Sequence, residues 1–197
     1  MRSGVLAVLL AVCLLAGCGE DEPTEGGYHG ALLDEQYVVP DTPLTDTDGQ
    51  PYSLASDTDK PLTLVFFGYT HCPDICQVVM ATMASAMTRL DEQDRERVDV
   101  AFVTTDPARD DEQTLRTYLD RFDPSFIGLT SDIQTIIDVG KPLAVAVEQG
   151  AKLPSGGYEV VHSTQITAIN DDDRVPILWT QGTSASDLAD DIHQLLA

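Results

Sequence analysis

Basic residues are scarce in this 197-residue chain, 11 Lys and Arg against 33 Asp and Glu, for a formal net charge of −22. That balance excludes a nucleic-acid partner, because phosphate recognition needs a basic surface. No basic cluster is present to hold an anionic lipid surface, so the acidity reads as a well-solvated exterior. Apolar runs are short as well. The run over residues 5–15 falls below the roughly 20 residues that a transmembrane helix requires. There is no internal repeat. Cysteine occurs four times, and two of the four lie within the first 18 residues. A closed structural zinc site, which takes four ligands, is poorly served by the remaining pair and one well-placed His.

The N-terminus reads as an export signal. Arg2 supplies the positive region, residues 5–15 the apolar region, and Leu15-Ala16-Gly17-Cys18 a small-residue cleavage site. Leu-Ala-Gly-Cys resembles the lipobox of bacterial lipoproteins, in which the Cys is acylated and becomes the new N-terminus. Three segments follow: a signal peptide over 1–17, lipidated Cys18 with an acidic tether to 36, and a domain over 37–197. A flexible coil of about 18 residues spans about 25 Å, enough to reach a membrane-embedded partner. The domain is thus expected on the extracytoplasmic face of the cell membrane, held by its lipid. His29, within the tether, reads as a solvated side chain.

Within 37–197 strand-like and helix-like segments alternate. Residues 43–54 read as a hairpin turning at Asp48-Gly49. Residues 62–67 form a buried strand, followed by a helix over 74–90 with Val78, Val79, Met83, Met87 and Leu90 on its apolar side. At that spacing the methionines are core filler rather than soft ligands. Residues 98–104 make a second central strand, 111–122 a helix carrying Leu115, Tyr118, Leu119 and Phe122, and 126–130 a short strand. Ser131 is expected to cap a helix over 132–140. Residues 145–158 read as a loop insertion, 160–169 and 175–180 as a hairpin, and 184–196 as a closing helix with His193 on its surface. The sum is an α/β fold: a central mixed sheet flanked by helices, with an N-terminal β-hairpin.

Cys72 and Cys76 are the thiols left to this domain, in Gly68-Tyr69-Thr70-His71-Cys72-Pro73-Asp74-Ile75-Cys76. A four-residue step at a helix start sets both sulfurs on one face. Their Cα atoms would then lie about 6 Å apart. That is near the long end of what a disulfide accepts, whereas a metal bridging two sulfurs needs less adjustment. A helix N-terminus lowers a thiol pKa and so favours either chemistry. As a mere staple the pair is weak, since a loop this short contributes only about 2 kcal/mol. His162, in Val160-Val161-His162-Ser163-Thr164, weights the choice toward metal. Calcium and magnesium want oxygen ligands, while two thiolates and an imidazole suit copper, Cu(I) in particular. His71 is the rival imidazole, although its position beside Cys72 turns it from the face of the pair.

These blocks resemble the Sco/SenC family, thioredoxin-like copper chaperones that assist cytochrome c oxidase assembly. The likeness rests on the Cys72–Cys76 block, on Asp106-Pro107-Ala108-Arg109-Asp110, on Phe126-Ile127-Gly128-Leu129-Thr130 and on His162-Ser163. It implies Cys72, Cys76 and His162 as ligands for Cu(I) or Cu(II), Asp74 as a supporting residue outside the ligands, and the copper-bearing oxidase subunit as partner. Gln77 stands where many members have Pro, and Val161 where many have Asp; neither change removes a ligand. Asp106, Arg109 and Asp110 are expected to cap the next helix or to dock a partner. The alternative function is an extracytoplasmic thiol–disulfide oxidoreductase acting through Cys72 and Cys76 to keep a target's cysteines reduced.

Overall fold

The structure, a computed structural model, describes residues 27–152 and 158–197, and for residues 149–152 and 158–162 the backbone alone. Residues 1–26, which hold the expected signal peptide, Cys13 and the expected lipidation site Cys18, lie outside the described residues. Strands β1 (Ala31–Val38), β2 (Leu44–Asp46), β3 (Pro51–Tyr52) and β4 (Leu62–Gly68) precede helices α1 (Ile75–Arg89) and α2 (Glu92–Arg95). Then come β5 (Val98–Thr104), α3 (Glu112–Leu119), β6 (Ile127–Thr130), α4 (Ile133–Gly140), β7 (Val147–Lys152), β8 (Tyr158–His162), β9 (Ile166–Asn170), β10 (Arg174–Trp179) and α5 (Ala185–Leu196).

β4 and β5 pair in parallel from Leu62↔Val98 to Gly68↔Thr104. Their near-continuous apolar sequences suit strands covered on both faces. The main sheet runs β1-β10-β9-β4-β5-β6-β2-β3. Leu62, Leu64, Phe66, Val100 and Phe102 turn to one face, beneath α1, α3 and α5. Val65, Phe67, Ala101 and Val103 turn to the other, beneath α4 and the Leu54 and Leu143 side chains. The expected mixed sheet between helical layers is therefore present, with the β2–β3 hairpin at one edge.

Several boundaries differ from those read in sequence. Residues 31–36, assigned to a tether, belong to β1, an edge strand paired antiparallel with β10. Its mostly exposed side chains carry no apolar alternation to announce it. Asp191 ties the preceding residues down, accepting the backbone N–H groups of His29 at 3.0 Å and Gly30 at 2.8 Å and the Trp179 indole N–H at 2.7 Å. Gly30 is required there, because a Cβ would stand 2.5 Å from the indole nitrogen. Val78 is 54% exposed, since α1 buries the stripe Cys76, Val79, Met80, Met83, Ala86 and Met87. Asp132, not Ser131, caps α4 through the N–H groups of Gln134 and Thr135. The segment read as a loop insertion holds β7 and part of β8, an antiparallel ribbon separate from the main sheet. The long strand read over 160–169 is accordingly split, its first part in β8 and its second in β9.

Candidate metal centre

Cys72 and Cys76 sit where β4 hands over to α1. The chain closes a turn after Gly68, with the Cys72 N–H donating to the Tyr69 carbonyl at 3.2 Å. The exposed Asp74 is the N-cap of α1, its carboxylate accepting the Ile75 N–H. Cys72 lies just before the helix and Cys76 in its first turn. The Cys76 N–H donates to the Cys72 sulfur at 3.3 Å, and both residues are reduced and buried, Cys72 at 4% exposure. Gly68 makes room for them: a Cβ there would stand 2.8 Å from Phe66, 2.9 Å from Phe102 and 3.2 Å from the Cys76 sulfur.

The electrostatics differ from the sequence expectation. Burial pushes the Cys76 thiol well up, reinforced by its hydrogen bond to Cys72, and only a backbone hydrogen bond from Tyr69 works against this. Desolvation thus outweighs the helix N-terminus at Cys76. The Tyr69 hydroxyl is pushed up to about 12, first by burial and then by charge on Cys72 and Cys76. Two soft sulfurs in an apolar pocket fit a soft ion such as Cu(I), which can displace the protons that burial otherwise retains.

The Asp106–Asp110 segment has a role that sequence reasoning missed. Asp111 caps α3, accepting the Thr114 N–H at 2.8 Å, so none of Asp106, Arg109 and Asp110 is the cap. Asp110 is buried and accepts the Thr70 N–H at 2.9 Å, the Thr70 hydroxyl at 2.6 Å and the Thr104 hydroxyl at 2.7 Å. Arg109 pairs with buried Asp106, and its guanidinium lies 6.0 Å from the centre of the Tyr69 ring. The loop after β5 therefore braces the loop after β4, directly upstream of Cys72. The available signal was an acidic pair around an Arg immediately after a buried strand.

The four histidines fall in different places. His71 is exposed and hydrogen-bonds the Thr70 hydroxyl at 2.9 Å, with the Asp110 carboxylate at 3.7 Å. His29 is half-buried with its ring 4.0 Å from Asp187, and His193 is a surface residue bound to Asp94 at 2.5 Å. His162 closes β8 opposite Val147, and the adjoining Ser163 N–H donates to the Ala146 carbonyl at 3.1 Å. β9 runs antiparallel to β4 with Ile166 opposite Phe66, so the backbone of residues 162–165 lies at the Gly68 end of β4. That is the end from which the cysteine loop departs. The His162 side chain is outside the described residues, and among those described no three His, Cys, Asp or Glu side chains converge as a metal cluster.

The SCO1/SenC family profile matches residues 31–197. This chain belongs to that family. A protein of Stutzerimonas stutzeri named for copper binding is 32% identical over 141 residues, covering 72% of this chain and 68% of its own length. The chain spans smaller shares, 62% and 40%, of the mouse and yeast SCO2 proteins. The crystal structure of Arabidopsis thaliana ScoI with copper bound superposes at a TM-score of 0.74 with 25% identity, covering 81% of this chain and 98% of that one. BsSco, described as a member of the Sco family of cytochrome c oxidase assembly proteins, shares the fold at 21% identity and a TM-score of 0.64. The sheet and its helices are thus the thioredoxin-like Sco fold, in a family whose members include copper-bound proteins.

Proposed function

We propose that this SCO1/SenC protein is a copper metallochaperone, carrying copper as cargo on Cys72 and Cys76 with His162 as third donor. In this reading it supplies the dinuclear copper site of cytochrome c oxidase while anchored by lipid at Cys18 on the extracytoplasmic face of the cell membrane. The observation that carries it is the pair of reduced, buried, adjacent thiols on a braced loop. Copper binding in the Stutzerimonas relative's name and copper in the Arabidopsis structure support the choice of metal. The position of the His162 backbone at the same end of β4 supports the third donor. Asp74 contributes by capping the helix that presents Cys76.

The oxidoreductase alternative has less support. An exchanger needs a low-pKa, accessible thiolate, whereas Cys76 is buried with its thiol pushed up. Copper titration of the reduced protein tests the reading. One equivalent should bind wild type, and Cys72→Ser and Cys76→Ser should each lose it. Full binding by either variant would overturn the site. Mass spectrometry of the mature protein should find Cys18 acylated and N-terminal; a mature chain beginning elsewhere would remove the anchor.

A further inference from the structure

His71 is held in a way that a merely solvated ring is not. Its Nδ1 lies 2.9 Å from the Thr70 hydroxyl oxygen and 3.7 Å from the Asp110 carboxylate. The Thr70 hydroxyl has one hydrogen, and it goes to Asp110 at 2.6 Å. Asp110 is buried and also receives the Thr70 N–H and the Thr104 hydroxyl, so donors surround its carboxylate. The Thr70 oxygen therefore accepts from the ring, and the network assigns the hydrogen of the neutral imidazole to Nδ1. The lone pair is left on Nε2. Among the described residues Nε2 has no hydrogen-bond partner, and the side chain is 57% exposed. A carboxylate behind one ring nitrogen, here acting through a hydroxyl, orients an imidazole for metal binding through the other and raises that nitrogen's basicity.

Such a donor supplies what the sulfurs lack. Cys72 is 4% exposed and Cys76 is fully buried, so an ion held by another molecule meets almost no sulfur at the surface. His71 is the residue before Cys72, outside the pair, and belongs to the same braced loop. With Thr70 it lines a surface cleft of about 460 Å³ whose lining also includes Asp111, Thr114, Thr117 and Arg121. These polar walls keep the cleft wet, and its volume accommodates a small copper complex or a partner's metal-bearing side chains.

We propose that His71 is an entry ligand for copper: Nε2 binds Cu(I) in the cleft while an external carrier still holds the ion, which then moves one residue along the loop to the cysteine pair. This rests on the reading of Cys72 and Cys76 as copper ligands. Imidazole suits copper, but Cu(I) prefers a pair of thiolates, so the ion moves inward. Every step exchanges ligands with no change of oxidation state. A carrier ligand leaves as Nε2 binds, Nε2 leaves as the sulfurs bind, and the thiol hydrogens pass to water as protons. His71 thereby sets the rate of loading and leaves the final affinity to the cysteine site.

Two measurements test this. Nitrogen NMR of the metal-free protein, at a pH where the ring is neutral, should find the hydrogen on Nδ1 of His71; the opposite tautomer would overturn the proposal. Stopped-flow mixing then follows Cu(I) as it leaves a coloured soluble chelator for the reduced protein. His71→Ala should take up copper about tenfold more slowly yet reach wild-type affinity at equilibrium, with unchanged thermal stability. His193→Gln, which removes an exposed imidazole elsewhere, should load at the wild-type rate. Equal rates for wild type and His71→Ala would overturn the entry role alone. So would an affinity loss in His71→Ala as large as the loss of rate, since the ring would then be a ligand of the finished site. Wild-type protein that binds no copper would remove the cysteine reading, and this role with it.

Discussion

The carboxylate of Asp110 holds Thr70 twice, through its backbone N–H at 2.9 Å and its hydroxyl at 2.6 Å, across forty residues of sequence. Thr70 is two residues ahead of Cys72, so the position of the first sulfur is set from the neighbouring strand's loop. A loop held in this way would lose little freedom on binding the metal proposed for its sulfurs.

Replacing Asp110 with Ala leaves the N–H of Thr70 and the hydroxyls of Thr70 and Thr104 without their acceptor. The expected cost is about 3 kcal/mol, within the range for buried groups losing a charged partner. Copper affinity should fall about tenfold as the loop loosens. Urea unfolding and copper competition titration check both. Wild-type values for Asp110→Ala would mean that the loop is held some other way.

Gly68→Ala drives a methyl group toward Phe66, Phe102 and the Cys76 sulfur, all within 3.2 Å. These are core rings and a buried thiol, so the strain should cost about 1–3 kcal/mol. The displaced sulfur should bind copper more weakly. Thermal unfolding with and without copper measures both, and a variant with normal stability would show that the cradle has room to spare.

His162→Ala separates metal carriage from thiol exchange. It should weaken Cu(II) binding more than Cu(I) binding, because Cu(II) needs the imidazole and Cu(I) tolerates two soft sulfurs. Formation and reduction of a Cys72–Cys76 disulfide should proceed at wild-type rates. Copper binding that is indifferent to His162, combined with lost exchange, would reverse the ranking of the two functions.

His193 gives a pH signature away from the thiols. Its hydrogen bond to Asp94, followed by the charges of Asp94, Asp91 and Asp190, raises its pKa. A raised folded-state pKa means stabilisation that is full below the ordinary His value of about 6.5 and lost as pH rises through the raised one. The stability difference between wild type and His193→Gln should therefore be largest in mild acid and vanish in the alkaline range. Melting curves across that span decide it; a difference growing with pH would contradict the pairing.

Asp191→Ala should free the N–H groups of His29, Gly30 and Trp179 together and cost about 3 kcal/mol. Trp179 is the single tryptophan, so native fluorescence reports the change directly. Copper affinity should stay at the wild-type value, since these groups belong to β10 and the residues before β1, which β9 separates from β4 and its cysteine loop. An unshifted emission spectrum would show the indole to be held without the carboxylate.

The two central strands, α1 and α5 were legible because each writes its burial in the sequence: continuous apolar residues in β4 and β5, a helical stripe in the others. The sulfur pair was legible from its four-residue step after β4. β1 was not, since an edge strand such as Ala31–Val38 exposes most side chains and is specified by backbone pairing with β10. Asp110 was misassigned for a related reason. Standing just before α3 it looks like a cap, and only the parallel pairing of β4 with β5 brings Thr70 within its reach. Burial of Cys76, which reverses the expected direction of its pKa, likewise depends on rings contributed by Phe66 and Phe102.

The ladder Ala31↔Leu178, Leu178↔Thr167, Thr167↔Val65 carries one level straight across four strands. Residues 27–30 and the cysteine loop consequently leave the sheet from the same end, about 14 Å apart at the usual strand spacing. Pulled by its N-terminal side, the domain would hang with its sulfurs facing the point of attachment and its β2–β3 edge to the side. With the lipid anchor proposed at Cys18, the end of the sheet that carries Cys72 and Cys76 would be the one nearer the membrane.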